Sequence, residues 1–127
     1  LITIVSREEG SGTRDSFEDL TLGQAKISPY ALIQDSNGAV KVMVENDPNA
    51  IGYLTYGCVT PKVKAVQIDG IAPTPQNIKE NKYKIIRPIF LLTKGESNLN
   101  VQEFINFMLS EEAQQVIADN GLIPVGE

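Results

Sequence analysis

The sequence predicts an α/β fold with a mixed sheet. Short β-branched or apolar runs at Ile2 to Val5, Ile51 to Tyr56 and Arg87 to Thr93 alternate with segments of helical periodicity. Helix-start residues stand at the head of those segments, at Ser11 or Thr13, Ser36, Thr74 and Ser110. Strands interleaved with helices need helices packed on a sheet, and 127 residues suffice for one domain with its own core.

Ile2 to Val5 reads as a short buried strand. It feeds Arg7-Glu8-Glu9-Gly10-Ser11-Gly12-Thr13-Arg14, a glycine-containing loop that opens a helix over Thr13 to Leu20. The glycines let the chain turn tightly and let a ligand approach closely. Ser11 and Thr13 sit where an N-cap is wanted, because the first helical N–H groups have no partner inside the helix. Phe17 and Leu20 share a face, and Asp15, Glu18 and Asp19 suit the positive end of the dipole. Such a terminus attracts anions, and Arg7 adds a planar cation able to fork onto two oxygens. A tetrahedral oxyanion held here would meet Arg7, two hydroxyls and several backbone N–H groups. The spacing alone also fits a plain capped helix with Arg7 on a solvated loop.

Ala31 to Ile33 reads as a brief strand. Ser36-Asn37-Gly38 starts a helix with Val40, Met43 and Val44 on one face, stopped by Asp47-Pro48-Asn49. In the strand Ile51 to Tyr56, Gly52 lets the backbone pass close to a ligand or a neighbour. Tyr53 then either lines a cleft or packs beneath the anion loop. Val63 to Ile68 alternates as a half-exposed strand, turned by Asp69-Gly70, and Thr74-Pro75 begins a short helix through Asn81. Arg87 to Thr93 is the last strand, followed by a Lys94-Gly95-Glu96-Ser97 loop. Val101, Phe104, Ile105 and Met108 recur at helical spacing. After Ser110, the stripe Ala113, Val116, Ile117 ends at Asn120-Gly121, a C-cap signature.

Composition excludes several functions. The absence of histidine removes Ser-His and Cys-His nucleophile pairs and imidazole metal ligands, and no carboxylate cluster has metal spacing. Cys58 is alone, so no intrachain disulfide forms, and nothing in the chain calls for a cofactor. No apolar run approaches the ~18 residues of a membrane span. The net charge of −5 argues against nucleic acid. It does not argue against a small anion. Charge spread ~15 Å away repels a unit anion by about 1–1.5 kcal/mol in water, and screening cuts that to a few tenths. One charge-assisted hydrogen bond contributes roughly 1.5–3 kcal/mol, so local donors win.

Arg7-x-x-x-Ser11-Gly12-Thr13 resembles the second-lobe anion loop of the phosphate-binding proteins that serve ABC transporters. Four further strings resemble that family in the same order: Ala50-Ile51-Gly52-Tyr53-Leu54, Ile68 to Thr74, Tyr83 to Pro88, and Phe107-Met108-Leu109-Ser110. The resemblance runs almost to Leu122. It implies a lobe of a two-lobed, type II periplasmic-binding-protein-like fold. Residues 1–87 would be the second-lobe domain; residues 88–127 would be a hinge strand and helices packing toward a first lobe. That first lobe, and a secretion signal, would precede residue 1 in a longer extracytoplasmic protein, free in a periplasm or held as a surface lipoprotein.

The function this implies is reversible binding of inorganic phosphate, without catalysis, as part of the receptor of an uptake transporter whose permease is its partner. Arg7, Ser11, Gly12 and Thr13 map onto phosphate ligands, Gly12 through its N–H. Glu9 stands where the family's carboxylate orients the arginine, or else is a solvated loop residue; Arg14 faces either the anion or the surface. The carboxylate that reads phosphate's proton belongs to the first lobe, so this chain is expected to hold half a site. Without that lobe, the C-terminal stripes would fold back on their own sheet or join two chains. Rival readings are a sensing or adhesion module on the same fold, and a phosphatase or phosphotransferase using the loop as a cradle. The latter lacks the lysine that follows the glycine loop in phosphate-transferring P-loops.

Overall fold

A computed structural model describes residues 1–125. The chain divides into two units, Leu1–Ile86 and a second beginning at Arg87.

The first unit is built on three strands, β1 (Thr3–Arg7), β2 (Leu32–Gln34) and β3 (Ala50–Gly52), ordered β2-β1-β3. Both pairings are parallel, with Val5 beside Leu32 on one side and Gly52 on the other. A mixed sheet was expected. Among the described residues, antiparallel pairing is confined to an isolated bridge between Ile68 and Ile71. The parallel arrangement follows from the connections, because β1 and β2 are each followed by a helix that returns the chain to the same end of the sheet. Helix α1 (Gly12–Phe17) links β1 to β2 and continues into a π-helical turn at Glu18–Leu22; α2 (Asn37–Asn46) links β2 to β3.

The two helices take opposite faces. Val5, Leu32 and Gly52 are in register and so share one face, over which α2 lies. A Cβ at Gly52 would stand 2.9 Å from Val40 Cγ1 and 3.1 Å from the Val5 carbonyl oxygen, so this residue has no side chain because α2 needs the space. Of the two readings of Gly52, the close neighbour is the helix. Val5 and Val40 are fully buried at that contact, each contributing roughly 1.5–3 kcal/mol. On the other face, the Phe17 ring of α1 stacks on Tyr53, with centroids 4.2 Å apart and planes within 6°.

Two expected strands of this unit are corrected. The run Ile51 to Tyr56 leaves the sheet after Gly52 and closes into a 3-10 turn at Tyr56–Cys58. Val63 to Ile68 alternates as a strand would, but only Ile68 pairs, with Ile71 across Asp69 (φ 52°) and Gly70 (φ 79°). Two successive left-handed residues make a tight hairpin turn. Alternation records which side chains face water; a ladder also needs a neighbouring backbone. Helix α3 (Pro75–Lys79) is shorter than expected at its end, with Thr74 accepting from the Asn77 N–H and Asn81 at φ 54°.

In the second unit, Arg87 to Thr93 forms no strand, and Ile89, Phe90, Leu91 and Leu92 are exposed. Helix α4 (Leu99–Met108) is capped by Asn98 and α5 (Glu111–Asp119) by Ser110. Helix α5 ends as Asn120-Gly121 predicts: Gly121 (φ 75°) donates to Ala118 O and Leu122 to Ile117 O, the paired bonds of a Schellman motif.

Candidate functional site

The anion loop begins where β1 ends. Glu8 N–H donates to Gln34 O of β2, the last rung on that side. The chain then turns over Glu9 and Gly10, closed by a 3.3 Å bond from Ser11 N–H to Glu8 O. Gly10 sits at φ 82°, which a type II turn requires of its third residue and which glycine adopts without cost. Ser11 is extended (φ −73°, ψ 115°) and its Oγ accepts from the Arg14 N–H at 3.3 Å, so it caps α1 as the sequence predicts. The Ser11 hydroxyl spends an acceptor on that bond and keeps its own proton to donate. Ser11 is buried, Gly12 opens the helix, and Thr13 follows it half-buried.

Arg7 is the point on which the site converges. Its backbone N–H donates to the Tyr53 hydroxyl at 3.1 Å, and its carbonyl accepts from Arg14 Nη1 at 3.1 Å. Its side chain is only 11% exposed and is held by an ion pair and hydrogen bonds. Nε and Nη2 each donate to one Glu8 oxygen at 2.8 Å, and Nη1 donates to Asn37 Oδ1 at 3.1 Å. These bonds use three of the five guanidinium N–H groups, leaving one on each terminal nitrogen. The hydrogen bond to Glu8 raises the Arg7 pKa further, and the same bond holds Glu8 below the usual carboxylate range. Arg7 is a permanent cation with a fixed plane.

The structure corrects one sequence expectation here. The carboxylate that forks onto Arg7 is Glu8, not Glu9. Glu8 still belongs to the strand ladder, alongside the guanidinium, whereas Glu9 lies on the exposed outer turn. Arg14 is also resolved: its Nε pairs with Glu18 Oε1 at 2.7 Å while Nη1 reaches Arg7 O, so it braces α1 against the strand end. Tyr53 packs beneath the loop, stacked on Phe17 and 2.7 Å from Ser6 Oγ.

Two participants were not singled out from sequence. Asn37, the first residue of α2, accepts from Arg7 Nη1 and from the Thr55 N–H at 3.4 Å, and its Nδ2 donates to Thr55 Oγ1 at 3.2 Å. Ser36 caps that helix by accepting from the Ala39 N–H. The signal Ser36-Asn37-Gly38 marks a helix start; only the fold brings that start to Arg7. The site thus lies outside the carboxyl ends of adjacent strands β1 and β2, where α1 leaves toward one face and α2 toward the other. Ligands of open α/β sheets bind at such a switch point. Among the described residues, no group of three His, Cys, Asp or Glu residues is placed to hold a metal.

A family model described as a PBP superfamily domain matches residues 1–112. This chain belongs to the PBP superfamily. It is similar to the phosphate-binding protein PstS 2 of Streptococcus agalactiae serotype V, 39% identical over 134 residues that cover 98% of this chain and 46% of the relative. A Clostridium perfringens structure, described as a phosphate ABC transporter substrate-binding protein with bound phosphate, superposes with a TM-score of 0.85 at 39% identity. That match covers 98% of this chain and 52% of the other. A phosphate-binding protein of a phosphate ABC transporter from Streptococcus pneumoniae TIGR4 gives a TM-score of 0.87 at 36% identity, over 96% and 51% of the two chains. The fold is therefore the α/β lobe of the type II periplasmic-binding-protein class, and the chain spans about half the length of the relatives it matches.

Proposed function

We propose that this chain binds inorganic phosphate reversibly as part of the solute receptor of an ABC phosphate transporter. The observation that carries this reading is the fixed Arg7 guanidinium, held by Glu8 and Asn37 at the end of β1, from which the chain turns directly into the Ser11 cap of α1. In it, Arg7 offers its two remaining N–H groups, Ser11 and Thr13 their hydroxyl protons, and Gly12 its backbone N–H to the oxygens of the anion. Every contact is a donor, which suits a fully or partly ionised oxyanion. Nothing in the arrangement activates a nucleophile, so the bound anion leaves unchanged. The names of the relatives, phosphate-binding proteins and phosphate transporter components, point the same way. The whole receptor would work outside the cytoplasm, deliver its ligand to a membrane permease, and use a second lobe to close on the anion.

A donor-only half-site cannot read the ligand's proton, because only an acceptor senses it. The chain should therefore bind phosphate and sulfate within a few-fold of each other, at millimolar rather than micromolar affinity, a difference of ~4 kcal/mol. Competition titration by calorimetry measures this. Strong preference for phosphate would place a discriminating acceptor inside this chain.

A further inference from the structure

We propose that Asn37 is a positioning residue for Arg7, and that its being an amide rather than a carboxylate keeps the site able to take an anion. The proposal rests on the phosphate-binding reading and adds a residue and a charge rule to it.

The geometry is specific. Asn37 Oδ1 accepts from both Arg7 Nη1 and the Thr55 N–H, while Nδ2 donates to Thr55 Oγ1. Two donors aimed at one end of the amide fix which end is oxygen. Thr55 follows β3 and Asn37 opens α2, so one side chain ties the start of a helix, the segment that leaves an edge strand and the guanidinium together. Glu8 engages the Nε and Nη2 side of the fork; Asn37 engages Nη1. Rotation about the terminal bonds of Arg7 is thereby stopped from both sides, which fixes where the remaining donors point.

Charge supplies the second half. Glu8 already neutralises Arg7 in a close pair. The other charged or titratable groups that act on Arg7 are Asp35, just before α2, and Tyr53, with Arg14 of α1 on its carbonyl. A carboxylate in place of Asn37 would accept the same two bonds, and the Thr55 hydroxyl would turn to donate to it. Local bonding would survive, but two carboxylates would face one cation, and an incoming anion would meet net negative charge. An amide orients the arginine without adding a second negative charge to the pair it already forms with Glu8.

The test uses the chain with inorganic phosphate, in parent, Asn37→Asp, Asn37→Ala and Thr55→Val forms. Calorimetry gives affinity, thermal unfolding gives stability, and nitrogen-detected NMR of the Arg7 side chain without ligand reports whether its guanidinium is held. In Asn37→Asp the guanidinium should stay held and stability should not fall, while phosphate binds about tenfold more weakly or worse. In Asn37→Ala the guanidinium signal should average as it does for a freely rotating arginine, with weaker binding; Thr55→Val should do the same to a smaller degree and serves if Asn37→Ala does not fold. A merely structural asparagine predicts that aspartate restores whatever alanine loses. Parent-like binding in Asn37→Asp, or an unchanged Arg7 signal in both Asn37→Ala and Thr55→Val, overturns the proposal. If the parent itself does not bind phosphate, the functional reading fails, and the Arg7 signal in the ligand-free variants still decides the positioning role.

Discussion

The hydroxyl of Tyr53 accepts the backbone N–H of Arg7 at 3.1 Å, across 46 positions of chain. Strand β3 ends at Gly52, so no backbone carbonyl continues the ladder on that side of β1. The phenol takes its place, and its ring, stacked on Phe17, braces α1 from below. One side chain therefore fixes both the residue that bears the cation and the helix that bears the cap. Tyr53→Phe keeps the stack and removes the acceptor, leaving the Arg7 N–H without its partner, while the Ser6 hydroxyl keeps only the Arg7 carbonyl. Urea unfolding should show a loss of about 1–3 kcal/mol, the usual cost of an unsatisfied buried donor. A change within a few tenths of a kcal/mol would mean that the N–H finds another acceptor.

Glu8 makes the site sensitive to acid. Its pKa is lowered by the Arg7 hydrogen bond, so its contribution to stability is present above the carboxylate's unfolded value and is lost as pH falls through the folded one. Stability should hold from neutral pH down to about 5 and decline below the ordinary glutamate range of about 4.3. Glu8→Gln should flatten that part of the pH profile while lowering stability at neutral pH. An acid limb of the same slope in parent and Glu8→Gln would assign it to other carboxylates.

Much of the fold was legible because its signals are local. The Ser11 cap, the Gly10 turn, the Ser36, Thr74 and Ser110 helix starts and the Gly121 stop each depend on a few adjacent residues, and each lies where the sequence places it. What failed needed a distant partner. Val63 to Ile68 and Arg87 to Thr93 have the composition of strands, but no described strand pairs with either run. The site divides in the same way. Arg7 and Ser11 are close in sequence and can be proposed as site residues from it; Asn37 and Thr55, and the choice between the two readings of Tyr53, depend on which strand lies beside β1. Glu8 was missed for a narrower reason. Resemblance pointed to Glu9, whereas the reach of a carboxylate along the strand end favours the immediate neighbour.

The C-terminal unit carries its own prediction. Leu99, Val101, Phe104 and Phe107 of α4 and Val116 of α5 are exposed. Leaving a large apolar side chain in water forgoes roughly 1.5–3 kcal/mol, so a cluster of this kind associates with a partner. We propose that for this chain in solution that partner is a second copy. Sedimentation velocity at rising concentration should show reversible dimerisation, abolished by Phe104→Glu. A parent that stays monomeric at the highest concentrations, with α4 ordered and exposed, would remove the self-association branch.

The central claim is that the clamped Arg7 guanidinium binds the anion, and isothermal titration of inorganic phosphate into the parent and Arg7→Ala chains tests it most directly. The parent should bind at about millimolar affinity, and Arg7→Ala should lose roughly 2–3 kcal/mol, the scale of a charge-assisted hydrogen-bonded pair. With thermal unfolding confirming that Arg7→Ala is folded, that loss would leave no measurable heat at accessible concentrations. Equal affinity in the two proteins would contradict the account, because the anion would then be held by something other than the residue on which the strand, both helix starts and Tyr53 converge.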